Sequence, residues 1–186
     1  IACNTSSALA LKALKQTFDL PIIDVITPVQ KIISQKSTPI KIGVIGTHNT
    51  IASGAYRKAI KPKNKKIQIF EQACPLFVPI IEEGLQNDSI ASLAVKKYLT
   101  PLINKNIQLL ILGCTHYPLI KETIQRNIPK KIQIVDSANS MAEYLTNYLN
   151  KTRLLSHIKR KKNRIIITDH SDNFHNFTNK ILIIWT

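Results

Sequence analysis

Leu109 Leu110 Ile111 Leu112 Gly113 Cys114 Thr115 His116 Tyr117 Pro118 is the most informative stretch of this 186-residue chain. Four consecutive aliphatics bounded by turn residues read as a strand buried on both faces, and Pro118 suits the first turn of a helix. Cys114 is therefore expected at a strand-to-helix switch. In an open α/β sheet, ligands collect at the carboxyl ends of strands, where the next helix presents free N–H groups and the positive end of its dipole. The same arrangement recurs at Ile1 Ala2 Cys3 Asn4 Thr5 Ser6 Ser7, ahead of the helical spacing Ala8, Leu11, Leu14, Phe18. Two matching cysteine corners imply two related α/β halves that face each other.

Outward from these corners, strands alternate with helices. Pro21 to Ile26 reads as a buried strand, with Pro28 starting a short helix through Ile33 and a boundary near Thr27. Lys41 to Gly46 is a strand that closes on Thr47 His48 Asn49 Thr50, with a helix through Ala55 and Ile60. Its glycines lack the G-x-G-x-x-G spacing of a dinucleotide site. Ile67 to Phe70 reads as a strand, and Ala73 Cys74 Pro75 to Gly84 as a short helix stopped by glycine. A helix from Ser89 to Thr100, one from Tyr117 to about Arg126, a strand Ile132 to Val135 and a helix from Ala138 to Leu149 follow. Ile165 to Thr168 is a further strand, with a final helix from about Asp172. Such alternation implies parallel βαβ units. The fold class expected is α/β, with two pseudo-symmetric parallel-sheet domains facing a central cleft. Residues 28–135 would form one domain, and 1–27 with 136–186 the remainder of the other. Ile1 reads as the last residue of a strand, so more of that domain is expected upstream.

An apolar share of 44% in 186 residues is enough to build a core, and no apolar run reaches the length of a membrane span. No secretory signal is expected, since no basic segment is followed by an apolar stretch of that kind, and no disulfide framework, since the three cysteines at 3, 74 and 114 form no C-x-x-C. A cytoplasmic protein with reduced thiols is expected, with no membrane partner. The net charge of +15 would suit an anionic partner. The lysines, however, fall in short clusters at turns and helix ends (Lys58 to Lys66, Lys96 and Lys97, Lys130 and Lys131, Lys159 to Arg164). With neither a nucleic-acid motif nor an aromatic platform, nucleic acid is not the expected partner.

A thiol has an ordinary pKa near 8.5, so small local effects decide whether it holds its proton. One thiolate can take a proton from one face of a substrate carbon while an opposing thiol donates to the other. The product is the mirror image. Ala2 Cys3 Asn4 Thr5 and Leu112 Gly113 Cys114 Thr115 His116 Tyr117 Pro118 Leu119 resemble the two catalytic motifs of the glutamate racemases, in the aspartate/glutamate racemase superfamily. Gly43 Val44 Ile45 Gly46 Thr47, Ser53 Gly54 Ala55 Tyr56 and Ala73 Cys74 Pro75 Leu76 Phe77 Val78 Pro79 resemble that family too, in order and at similar spacing. The resemblance extends to about Leu149, and more weakly over Ile166 to Phe177.

The resemblance implies a cofactor-independent racemase that supplies D-glutamate for peptidoglycan, with glutamate as its small-molecule substrate and a homodimer left open. Cys3 and Cys114 would be the acid/base pair, assisted at Cys114 by His116 and Glu82. Asn4, Thr5, Thr115 and His116 would hold the substrate, with Thr47 and Thr50 nearby, and no metal is implied. His116 favours glutamate over aspartate. The family's N-terminal Asp-Ser-Gly motif and Tyr-Gly loop have no counterpart in residues 1 to 186, which puts the support of the Cys3 thiol in doubt.

Other readings stand beside this one. Cys74, followed by Pro75 with no polar helper, reads as a core residue. Glu82, beside Glu83 and just before Gly84, reads equally well as a solvent-facing carboxylate. A zinc site at Cys114 and His116 lacks the spacing of known sites, and a Cys–His hydrolase lacks a third orienting group. An aspartate or related racemase, or a basic nucleic-acid or gyrase-binding protein, is the alternative. Because the Asp-Ser-Gly motif is absent, the polypeptide 1–186 alone is expected to show little or no racemase activity; the change in circular dichroism of an L-glutamate solution measures it, and turnover at the rate of full-length family members would refute it.

Overall fold

The computed structural model describes residues 1–36, 39–61, 65–156, 166 and 168. The aliphatic runs pair as one sheet of β1 (Ile40–Gly46), β2 (Ile67–Ala73), β3 (Leu109–Gly113) and β4 (Gln133–Asp136), in the order β2-β1-β3-β4, with every pair parallel. All five residues of β3 are buried, as an interior strand covered on both faces requires. Side chains alternate between two cores. Leu109 and Ile111 pack with Ile42 and Val44 on one face, while Leu110, Leu112 and Ile45 pack on the other.

Helices cover both faces. The first core is closed by α3 (Ile26–Ser34), α5 (Ala55–Ile60) and α9 (Ser137–Lys151), through Val29, Ile33, Tyr56, Ile60 and Met141. The second is closed by α6 (Phe77–Glu82), α7 (Ser89–Ile103), a 3-10 turn (Tyr117–Ile120) and α8 (Lys121–Asn127). In it the Phe77 ring meets Tyr98 and Tyr117 edge-on, with centroids 5.5 and 5.2 Å apart. The helices α1 (Asn4–Leu9), α2 (Leu11–Thr17) and α4 (His48–Ser53) lie at the carboxyl end of β1 or lead to it. None of the described helices is long and apolar enough to cross a membrane.

The strand order sets the position of the crevice. After β1 the chain passes through α4 and α5 to one face, and after β3 it passes through the 3-10 turn and α8 to the other. These neighbours are therefore the topological switch point, where connections diverge and leave space beyond the strand ends. Thr47 follows β1 and Cys114 follows β3.

Several expectations need correction. Pro21 to Ile26 is not a strand. The Asp24 carboxylate accepts from the Ile26 and Thr27 amides at 2.9 and 3.0 Å, which starts α3 at Ile26 and leaves Pro28 inside the first turn. The Ile1 nitrogen donates to the Ile23 carbonyl at 2.6 Å. The helix expected through Ala55 and Ile60 is two helices, because Gly54 adopts φ +61 between them. The segment from Tyr117 starts as a 3-10 turn before α8, and the helix from Ser89 runs on past Pro101 to Ile103. The strand expected at Ile165 to Thr168, of which residues 166 and 168 alone are described, and the helix from Asp172 fall outside the described residues.

Close approach of β1 and β3 leaves no room for a side chain at Gly113, where a Cβ would stand 2.6 Å from the Ile45 carbonyl oxygen. At Gly43 a Cβ would meet the tip of Ile107 at 2.7 Å, a side chain that can turn aside. Gly113→Ala is expected to lower unfolding free energy by about 1–3 kcal/mol and Gly43→Ala by less, as measured by urea denaturation. Equal costs would refute the assignment of strain to the β1–β3 contact.

Candidate active site

Cys3 is the N-cap of α1, and its sulfur accepts from the Ser6 amide at 3.5 Å. The side chain is exposed. Partial burial raises its pKa, but hydrogen bonds from the backbone and side chain of Ser6 and Thr5 outweigh this, so the thiol is more acidic than usual. A thiol at a helix N-terminus gains in the same direction from the dipole.

Cys114, at the end of β3, is 5% exposed. Burial is the largest influence on it and raises its pKa; the His116 and Tyr117 amides and the Thr115 side chain offset this only in part. A charge on Cys3 raises it further. Asn4, beside Cys3, bonds to Tyr56, whose ring lies against Gly113, beside Cys114, so the two corners come to one end of the sheet. The resting arrangement is unequal, with Cys3 biased toward thiolate and Cys114 toward thiol.

Behind Cys114 runs a relay. Its sulfur lies 3.9 Å from His116 Nδ1, and His116 Nε2 lies 3.2 Å from Glu82 Oε1 on α6. The imidazole is about a quarter exposed and Glu82 about half, so the relay leads from the buried sulfur to water. Neighbouring Glu83 faces an apolar groove between α6 and α7 instead. Cys74 sits fully buried beneath the site, with its thiol directed at the Gln72 carbonyl at 3.7 Å. Burial, and secondarily the charge on Cys114, push its pKa well above the usual thiol range. It is a core residue, as its surroundings in the sequence suggest.

Opposite the relay stand three hydroxyls. Thr5 Oγ1 is 2.9 Å from Thr47 Oγ1 and 3.1 Å from Thr50 Oγ1, and Thr47 and Thr50 are 3.0 Å apart. Thr47 also caps α4 by accepting from the Thr50 amide at 3.3 Å. The triangle joins α1 to the N-terminus of α4 and makes a compact cluster of donors suited to a carboxylate. Asn4 is 2% exposed; its Oδ1 accepts from the Tyr56 hydroxyl at 2.6 Å, while its Nδ2 is buried without a partner among the described residues. Thr115 is exposed beside Cys114. All nine residues singled out in the sequence thus lie on segments that meet at the carboxyl end of the sheet. The sequence reading missed the role of Tyr56, for which the turn at Gly54 was the available signal.

A parallel α/β sheet with acid and base groups gathered at its switch point defines an enzyme scaffold. The chain belongs to the Asp/Glu/Hydantoin racemase family, whose sequence pattern matches residues 1–145. Glutamate racemases are among the proteins this chain is similar to. The glutamate racemase of Sulfurihydrogenibium sp. (strain YO3AOP1) is 43% identical over 182 residues, covering 98% of this chain and 68% of its own. That of Persephonella marina is 42% identical over 174 residues, covering 94% of this chain and 64% of its own. The chain thus spans about two thirds of the length of these curated relatives. The crystal structure of glutamate racemase from Francisella tularensis subsp. tularensis SCHU S4, in complex with D-glutamate, superimposes with a TM-score of 0.89 at 36% identity, over 97% of this chain and 67% of that one.

The unequal thiols make a chemical prediction. As pH rises, Cys3 ionises first, below the ordinary thiol range, and Cys114 later, above it. At pH 7, iodoacetamide is expected to label Cys3 roughly 10-fold faster than Cys114 or Cys74, as read by peptide mass spectrometry. Faster labelling of Cys114 would contradict the assigned acidities.

Proposed function

We propose that this protein interconverts L- and D-glutamate by proton transfer between Cys3 and Cys114, supplying D-glutamate for peptidoglycan in the cytoplasm. The observation that carries this reading is the convergence of the two cysteine corners at the switch point, where Asn4, beside Cys3, bonds to Tyr56 and the Tyr56 ring lies against Gly113, beside Cys114. The proposed cleft lies between a half built on residues 28–135 and one to which 1–27 and 136–186 contribute.

In this reading the hydroxyl triangle of Thr5, Thr47 and Thr50, with Asn4 and Thr115, binds the substrate's polar groups. The Cys3 thiolate takes the α-hydrogen as a proton, leaving its electron pair delocalised into the adjacent carboxylate. Cys114 then gives its proton to the opposite face of the α-carbon, and the configuration inverts. Cys114 ends as thiolate and Cys3 as thiol. One enantiomer therefore meets the resting protonation state, and the other meets its reverse.

The resting state returns when the exposed Cys3 thiol gives its proton to water and Cys114 takes one from water by way of His116. With Nε2–H donated to Glu82, His116 Nδ1 carries a lone pair toward the Cys114 thiol; with the ring protonated, it can return a proton to the thiolate. Glu82 holds the ring in this orientation.

Cys3→Ser and Cys114→Ser each replace a thiol with a hydroxyl, which gives up its proton far less readily. In the protein as its gene encodes it, each is expected to lower turnover in both directions by about 10³-fold, as followed by circular dichroism with either enantiomer, while the far-ultraviolet spectrum of the protein stays unchanged. Turnover within tenfold of the unmodified protein for either folded variant would sink the two-thiol mechanism.

A further inference from the structure

Tyr56 and Asn4 are 52 residues apart in sequence and are joined by a buried hydrogen bond. The Tyr56 side chain is fully buried and lies against the end of β3, with one ring carbon 3.1 Å from where a Cβ on Gly113 would stand. Gly54, in its left-handed conformation, starts α5 at an angle that turns Tyr56 inward. The ring therefore has little freedom, and its hydroxyl approaches Asn4 Oδ1 from a fixed direction. Burial, with the nearby charges of Asp24 and Cys114, raises the phenol's pKa far above its usual value, so it remains a donor at any working pH.

An asparagine amide carries an acceptor oxygen and a donor nitrogen, and its two orientations differ only in which end faces which neighbour. A phenol O–H donating to Oδ1 favours one of them: in the flipped amide the phenol oxygen could accept from Nδ2, but the hydroxyl proton would lose its acceptor and Oδ1 its donor. Nδ2 is then left buried, without a partner among the described residues. Buried donors of this kind are few in native structures, and each calls for a cause. Asn4 lies between Cys3 and Thr5, the latter a member of the hydroxyl triangle, so Nδ2 belongs to the same end of the sheet as the thiols.

We infer that Tyr56 is a positioning residue that holds the Asn4 carboxamide with Nδ2 presented to an anionic oxygen of the substrate. The inference rests on the glutamate reading above. It assigns the orphaned donor to a carboxylate and gives Tyr56 a role in substrate affinity beyond packing. Without the hydroxyl, the amide can turn and offer its oxygen, which a carboxylate repels.

The test uses the protein as its gene encodes it, with D-glutamate as probe in calorimetric titration and in steady-state assays. Tyr56→Phe keeps the ring and is expected to raise Kd and KM about 10-fold with kcat nearly unchanged, the loss of one hydrogen bond to a charged group. Asn4→Ala should lose a similar factor, and adding Tyr56→Phe to it should cost less than a further twofold. Independent, multiplying losses would overturn the inference, as would wild-type affinity in a Tyr56→Phe protein whose unfolding midpoint has dropped. Should Tyr56→Phe fail to fold, the Asn4 side-chain amide resonances of the unmodified protein decide: a downfield shift on saturation with D-glutamate supports the inference, and unmoved resonances overturn it. Absence of any glutamate binding by the unmodified protein would overturn the functional reading and this inference together, whereas the other adverse outcomes spare the former.

Discussion

At the ends of β1 and β3, Gly46 and Gly113 face each other in register, and the whole site depends on that contact. A Cβ on Gly46 would stand 3.2 Å from the Gly113 carbonyl oxygen, and one on Gly113 would collide with the backbone of Ile45. Two bare backbones therefore run together to the edge of the sheet, and the chain diverges immediately afterwards. Thr47 turns into α4 on one side and Cys114 leads into the 3-10 turn on the other. The same lack of a side chain lets the Tyr56 ring settle against Gly113. Sulfur, hydroxyl and amide are brought to one place by the spacing of two strands.

Three cysteines in one small protein show how far surroundings decide chemistry. Cys3 has amide and hydroxyl donors at a helix start and access to water, which favour the anion. Cys114 has similar amides but sits in an apolar wall, and burial prevails. Cys74 has the burial without those amide donors, and its proton is held tightly. The sulfur at the end of β3 also backs onto His116 and Glu82, a path to solvent that the exposed Cys3 does not require. Cys3 and Cys114 are therefore related by motif but not by environment.

Much of this was legible in the sequence because it depends on local signals. The unbroken aliphatic run of β3, the polar residues after Cys3 and Cys114, and the alternation of strands with amphipathic helices are each decided within a few residues. The failures were also local. Asp24 was read inside a strand because its neighbours are aliphatic, although its carboxylate caps α3. Gly54 was read through as helix interior, although its conformation divides α4 from α5. What no local pattern could show was pairing across the fold, such as Tyr56 with Asn4, or the union of Thr5 with Thr47 and Thr50. These depend on the order in which strands join the sheet. Glu82 lay between the two cases, since only packing separates its side chain from that of Glu83, which faces the groove beside α7.

The hydroxyl triangle has a further consequence. Each member can donate or accept, and a hydroxyl proton swings about its C–O bond at little cost, so the circulation of hydrogen bonds around the ring can reverse while every heavy atom stays in place. Ligands of opposite handedness present their oxygens along different directions. A rigid array of amides would favour one hand over the other, but a ring of rotors re-aims its protons toward either. In the proposed reaction, symmetry of recognition would thus require no symmetry of structure; it would reside in the lightest atoms of three threonines.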